Sequence, residues 1–275
     1  MNIAIIGFGL IGGSLGKALK VKPQKYHITA IVRKKSAALL ALKTKSADTA
    51  SLNLQDVSKA DIVVIATPVD LIIPIYKELI PIVKKGAVIT DAGSVKYPIE
   101  QEIRKLSRRK GFISFVGSHP MSGKETNGLL NAQADLFKNA NVVITDSIQK
   151  SKKNENAIAN MWRDSGANII RMSAQKHDEL VALTSHLPHL MAFALNKIYK
   201  DKRSKDKKIE KIVAGSFYSA IRVASSSADM WAPIFKKNIK YIKSNLNAFI
   251  KELKKFEKNL NNQAKVKERI LETQK

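Results

Sequence analysis

Six residues constrain this chain more than any others. Gly7-Phe8-Gly9-Leu10-Ile11-Gly12 ends the apolar run "NIAIIG" (2–7) and opens a helical pattern. The first glycine permits a tight turn. The second lets the backbone approach a ligand, and the third lets a helix pack closely on the strand before it. The helix N-terminus then faces outward with N–H groups that no intrahelical carbonyl satisfies, which suits phosphate. The backbone of Gly7, Gly9, Leu10, Ile11 and Gly12 is therefore expected at the pyrophosphate of a dinucleotide.

The end of the next strand selects the dinucleotide. Sites for NAD place a carboxylate there to bind the ribose 2′-hydroxyl. Here "HITAIV" (27–32) runs into Arg33, Lys34, Lys35 and Ser36, with no carboxylate. A guanidinium can grip a 2′-phosphate in a fork. Arg33, Lys34 and Ser36 are therefore expected to favour NADP, with NAD possible. Ordinary surface lysine is the competing reading.

The remaining pattern extends this start into a fold. "DIVVIATP" (61–68), "AVITDAGS" (87–94), "FISFVGSHP" (112–120), "NVVITDS" (141–147) and "ANIIRMS" (167–173) read as strands, rich in Val and Ile and bounded by turn residues. Near-continuous apolar character indicates strands covered on both faces. Helix-length segments at 12–21 and 70–84 separate the early ones. The fold class expected is α/β: an N-terminal Rossmann-type, mostly parallel sheet (1–173), then an all-helical C-terminal domain (174–275) for substrate and dimerisation.

In the second part no strand signal appears. A lysine-rich loop is expected near 200–208. Ile239, Ile242, Leu246, Phe249, Leu253, Phe256 and Leu260 recur at spacings of three and four, a stripe that could pack inside one subunit or across a homodimer seam, of which the homodimer is expected. The tail from Asn261 is polar and expected to fray.

The net charge is +25, which raises the question of nucleic acid. The excess is lysine spread along the chain, and aromatics are only 6%, with no basic segment interleaved with them as a stacking surface needs. A solvated surface and no nucleic-acid partner are expected. No run of about 18 apolar residues suggests a membrane span. The N-terminus lacks a charged n-region and reads as structure, not signal peptide. There is no cysteine, so thiolate metal sites and disulfides are excluded and a cytoplasmic location is expected.

A second constellation lies beyond the glycine turn. "TDAGSVK" (90–96) places Ser94 at a strand C-terminus, where open α/β sheets present ligands, and Lys96 follows. His119 lies at the end of a further strand in "GSHPMSG". Then come "TSHLPHL", with His186 and His189, and "IRVASSSADMW", with Arg222 and Trp231. The histidine pair has H-x-x-H spacing, but Pro188 intervenes, and no metal site is expected.

Taken in order, "GFGLIGGSL", "TP" plus "DAGSVK", "GSHPMSG", "SHLPH" and the late "F…R…A…MW" resemble the prephenate/arogenate dehydrogenase family, from residue 1 to about 240. The resemblance implies oxidative decarboxylation of a cyclohexadienol in tyrosine biosynthesis, with hydride leaving the carbinol carbon for nicotinamide. It implies that His119 accepts the 4-hydroxyl hydrogen bond as base or polariser, since imidazole suits that work near neutrality. It implies that Ser94 orients His119 and the nicotinamide, and that Arg222 clamps a substrate carboxylate. His189 and Trp231 complete the pocket, Glu125 tunes it or gates access, and Thr67 and Pro68 sit at the cofactor.

This chain departs from the family's pattern near the late arginine. Tyr218 and Ser219 stand where an Arg-Asp pair is usual, and Ile221 replaces a Thr, so the choice between arogenate and prephenate stays open. No regulatory module is detectable, so tyrosine is expected to act only by competing at the site. Two alternatives stand beside this reading. A β-hydroxyacid dehydrogenase leaves "SHLPH" unexplained, and a basic nucleic-acid-binding Rossmann protein without activity predicts a steep salt dependence.

Overall fold

The computed structural model describes residues 1–22, 24–110, 113–123 and 126–274. It divides into two compact units, Met1–Asp178 with Ser225–Lys237, and Glu179–Ala224 with Asn238–Lys275.

The first unit begins with β1 (Asn2–Ile6), α1 (Leu10–Lys20), β2 (His27–Ile31), α2 (Lys35–Lys43), β3 (Thr49–Ser51), β4 (Ile62–Ile65), α3 (Ile72–Leu79), β5 (Val88–Asp91), α4 (Tyr97–Lys110) and β6 (Ser114–Val116). The six strands form one parallel sheet in the order β3-β2-β1-β4-β5-β6. This is the doubly wound order, in which ligands bind beyond the strand C-termini where the order reverses, here between β1 and β4. Every residue of β4 is buried, as its unbroken "IVVI" requires. Ile3, Ile5, Ile28, Ile62, Val64 and Val88 join Leu15 and Leu19 of α1 in one apolar core. Full burial of each such side chain contributes about 1.5–3 kcal/mol.

Three departures from the sequence reading have local causes. The short β3 was not expected, because "TAS" offers no apolar run; Thr29 Oγ1 and Thr49 Oγ1 hydrogen-bond across that pair at 2.9 Å. The segment 70–84 is helical only over Ile72–Leu79, ending just before Pro81, which has no N–H to continue it. The single strand expected over 112–120 is two. β6 belongs to the large sheet, whereas β7 (Ser118–Pro120) pairs antiparallel with β8 (Asn141–Ile144) in a second sheet. The break falls at Gly117, where an added Cβ would lie 2.7 Å from Thr145 Oγ1. Phe112 lies outside the described residues.

Helix α5 (Lys152–Asp164) then leads to β9 (Asn168–Arg171), parallel to β8. Ser151 caps α5 by accepting from Asn154 N. Helix α6 (Ala174–Val181) follows.

The second unit is helical. A π-turn over Ala182–His186 precedes α7 (Leu187–Lys205), and α8 (Gly215–Ile221) follows. The π-turn adjoins Pro188, which cannot donate the bond a regular helix needs there. The lysine-rich stretch expected as a loop is mostly the last turns of α7, since lysine is a good helix former. Helix α9 (Ala228–Lys237) lies in the returning segment of the first unit. The second unit closes with α10 (Ile239–Asn259) and α11 (Gln263–Glu272). The tail expected to fray is therefore helical, capped by Asn262, whose side chain accepts from Lys265 N at 3.1 Å. Among the described residues no helix is long and apolar enough to cross a membrane.

Candidate active site

The glycine turn sits between β1 and α1 as its spacing predicts. Gly7 has φ +87°, and an added Cβ there would lie 2.6 Å from the Ala66 carbonyl oxygen, so glycine is required twice over. Gly12 is equally confined, 2.4 Å from Gly7 O. Gly9 is different: a Cβ there would meet nothing within 4 Å. Its freedom is not needed for packing, and it leaves the backbone open to a ligand. No side chain caps α1 and no acidic residue stands in its first turn. Thr67 Oγ1, at the end of β4, is buried with no hydrogen-bond partner among the described residues. An uncapped N-terminus, an open glycine and an orphaned hydroxyl together fit a pyrophosphate and its ribose. Arg33, Lys34, Lys35 and Ser36 are all exposed beyond the end of β2, and Pro68 is exposed beside Thr67.

Ser94 and His119 come from the next strands along. Ser94 is half-buried in the turn after β5, and His119 is the central residue of β7, opposite Val143. One buried network ties their backbones together. Ser118 donates through its hydroxyl to the Asp91 carbonyl at 2.5 Å and through its N–H to the Asp91 carboxylate at 3.3 Å. Lys96 donates to the Ser118 carbonyl at 2.8 Å and is ion-paired with the Asp91 carboxylate. Trp162 Nε1 donates to Ser118 Oγ at 3.0 Å. Lys96 is 1% exposed and Asp91 not at all. Burial pushes the Asp91 carboxyl up, and the Lys96 ammonium pulls against it. The "DAGSVK" segment thus carries Ser94 and also supplies the cation that locks the residue next to His119.

The partner of His119 was not legible in the sequence. His119 Nδ1 lies 2.8 Å from His177 Nε2, with ring centroids 5.0 Å apart and planes at 76°. His177 Nδ1 lies 2.7 Å from Asp178 Oδ1. The Asp178 carboxylate also accepts from Lys96 N at 2.8 Å and Tyr97 N at 2.9 Å, at the start of α4. His177 and Asp178 are fully buried, whereas His119 is partly open. A His-Asp pair opening a helix is a common surface pattern, and only the fold brings it to His119.

A second buried acid lies beneath this network. Glu100 accepts a hydrogen bond from Thr145. Burial drives its carboxyl up from 4.5 to about 7, against the Thr145 hydroxyl and the Lys96 and Arg104 charges, while Asp91 adds to the rise. Its folded-state value exceeds the unfolded one, so its stabilisation is full below pH 4.5 and is lost as pH rises through about 7. Glu100→Gln keeps the acceptor without the charge. Its stability should gain on that of the parent protein as pH rises from about 4.5 to about 7 and level off above, by up to about 3 kcal/mol. A difference that stays constant with pH in thermal melts would contradict this.

The other candidates lie apart in sequence. In the second unit, half-buried His189 donates through Nδ1 to Ser185 O, 2.9 Å away. Its pKa is lowered by burial and by the positive charge of Arg222, which the Ser185 carbonyl opposes. The fold therefore brings His189 and Arg222 near one another, and Arg222 is exposed. His186 is buried, 3.1 Å from Asn238 Nδ2 through its Nδ1. Trp231, in the first unit, is buried with its ring centroid 5.3 Å from that of Phe235. Glu125 lies outside the described residues. Among the described residues no group of three His, Cys, Asp or Glu is placed to hold a metal ion.

Known proteins resemble both parts. The family model for the prephenate dehydrogenase nucleotide-binding domain matches residues 15–171, and that for the prephenate dehydrogenase dimerization domain matches residues 173–273. A cyclohexadienyl dehydrogenase of Zymomonas mobilis is 35% identical over 92% of this chain and 86% of its own length. A prephenate dehydrogenase of Bacillus subtilis is 30% identical over 92% of this chain and 68% of its own. The crystal structure of prephenate dehydrogenase from A. aeolicus, in complex with hydroxyphenyl propionate and NAD+, superposes with TM-score 0.90 at 27% identity, covering 100% of this chain and 96% of that one.

Proposed function

The chain belongs to the prephenate/arogenate dehydrogenase family of NAD(P)-dependent oxidoreductases, and from that premise we propose that it oxidatively decarboxylates arogenate or prephenate with NADP as preferred cofactor. The carrying observation is the placing of His119. The buried Asp91–Lys96–Ser118 network holds it on β7, beyond the C-terminal edge of the sheet that carries the glycine turn. The β-hydroxyacid alternative loses its ground with the family matches.

Each role follows from side-chain chemistry. The backbone of Gly7, Gly9, Leu10, Ile11 and Gly12 holds the pyrophosphate, and Thr67 and Pro68 flank it. Bound nicotinamide supplies the acceptor for the hydride that leaves the carbinol carbon. His119 takes the hydroxyl proton, without which the alcohol is a poor hydride donor. Ser94 orients the reacting groups from its turn. Arg222 clamps a substrate carboxylate with planar paired donors, and His189, favoured in its neutral form, hydrogen-bonds beside it. Trp231 offers an apolar wall. The lysine excess is a solvated surface and not a nucleic-acid site.

Two further readings accompany this one. The domains divide the work, residues 1–173 for the dinucleotide and 174–275 for substrate and self-association. The stripe along α10 bears on self-association: Ile239, Leu253 and, just past the helix, Leu260 are exposed, while Ile242 is buried.

Steady-state rates with both substrates and both cofactors test the proposal; consumption of neither substrate would refute it. The cofactor reading has its own test. Arg33→Ala should raise KM for NADP by about 10–100-fold, the value of one charge-assisted contact, and leave NAD nearly unchanged. Equal loss for both would mean that Arg33 does not read the 2′-phosphate.

A further inference from the structure

We propose that buried His177 and Asp178 are positioning residues that set the tautomer of His119, so that its Nε2 carries the lone pair that receives the substrate proton. This rests on the role of His119 as base given above.

The inference follows from hydrogen-bond bookkeeping along one chain of atoms. A carboxylate only accepts, and both oxygens of Asp178 already accept backbone N–H groups from Lys96 and Tyr97 at the start of α4. Its bond at 2.7 Å to His177 Nδ1 therefore requires the proton on that nitrogen. A neutral His177 protonated at Nδ1 has its lone pair on Nε2. The 2.8 Å contact with His119 must then be donated by His119 Nδ1. Neutral His119 protonated at Nδ1 carries its lone pair on Nε2. The chain Asp178, His177, His119 thus selects one of two tautomers at each ring.

The same chain acts after the proton arrives. When the substrate hydroxyl gives its proton to His119 Nε2, the ring becomes a cation that still donates through Nδ1. His177 Nε2 accepts that bond, and the Asp178 carboxylate backs His177 through the next one. Two buried groups, sealed from water, direct a negative charge at the imidazolium as it forms. His119 itself remains partly open, as a group that meets substrate must. The location of Asp178 adds rigidity: it holds the N-terminus of α4, the helix that follows the Ser94 turn, so the two catalytic arms share one anchor.

Two measurements test this. The first reads the tautomer in the unsubstituted protein and uses a variant only to assign signals. With histidines labelled by ¹⁵N, and the His119 signals identified by their loss in His119→Gln, neutral His119 should be protonated at Nδ1 and not at Nε2. A proton on Nε2 would overturn the proposal whatever the kinetics show. The second uses His177→Gln. It should lower kcat by about 10–100-fold, less than loss of the base itself, with KM within about threefold. It should also move the acidic limb of the kcat–pH profile, which a purely structural defect would leave in place. If His119→Ala abolishes turnover while His177→Gln retains the parent's kcat and pH profile, the relay is wrong and the base stands. If His119→Ala is itself fully active, the base assignment fails first.

Discussion

His119→Ala should cut turnover by about 10²–10⁴-fold while binding of the oxidised cofactor survives. The size follows from the work assigned to the side chain. Removing the hydroxyl proton in step with hydride departure is general base catalysis, and no other group on β7 can replace an imidazole. Cofactor binding should persist because the glycine turn, Thr67 and the β2 terminus contribute nothing through residue 119. Folding should persist as well: His119 is partly open, and although its ring meets His177, the Asp91–Lys96 network that fixes this strand grips its neighbour Ser118. The check is kcat beside a cofactor titration on the same preparation. Turnover within about threefold of the parent would remove the base from this residue.

Lys96→Met should destabilise the first unit by about 3–5 kcal/mol. The ammonium is enclosed, and its removal leaves the Asp91 carboxylate buried and the Ser118 carbonyl without its donor. Methionine fills the volume and satisfies neither oxygen. Lys105→Met is the contrast. That lysine's side chain is 71% exposed and only 3.6 Å from Glu102, so its loss should change stability by no more than about 0.5 kcal/mol. Urea midpoints of the two variants measure the difference. Similar midpoints would show that the buried pair holds little of the fold together. Because the same network fixes the strand beside His119, Lys96→Met should also lower activity in whatever fraction remains folded.

The parts of this protein that were legible in the sequence are those with local causes. The turn at Gly7, Gly9 and Gly12 announces itself because positive φ and close packing are demands on single residues. The strands β1, β2, β4, β5 and β8 announce themselves because a mostly buried sheet demands segments rich in Val and Ile. The misreadings also have local causes. The break at Gly117 was hidden inside an apolar run, and β3 lacks one. The loop near 200–208 was inferred from lysine content, which helices tolerate well.

The candidate side chains His119 and Ser94 stand out in the sequence by motif order, but the groups that surround them were not visible there. His177 is 58 positions from His119 along the chain, and Asp178 is 82 from Lys96, so no periodicity connects them. By itself the sequence determined the class of fold and the place of the phosphate turn, because those depend on backbone freedom and apolar spacing within a few residues. Only the tertiary structure decided which groups meet the His119 ring and which charges lie buried near it. A hydrogen bond requires two atoms to meet within about 3 Å, and that meeting is set by the packing of two sheets and a helix, not by distance along the chain.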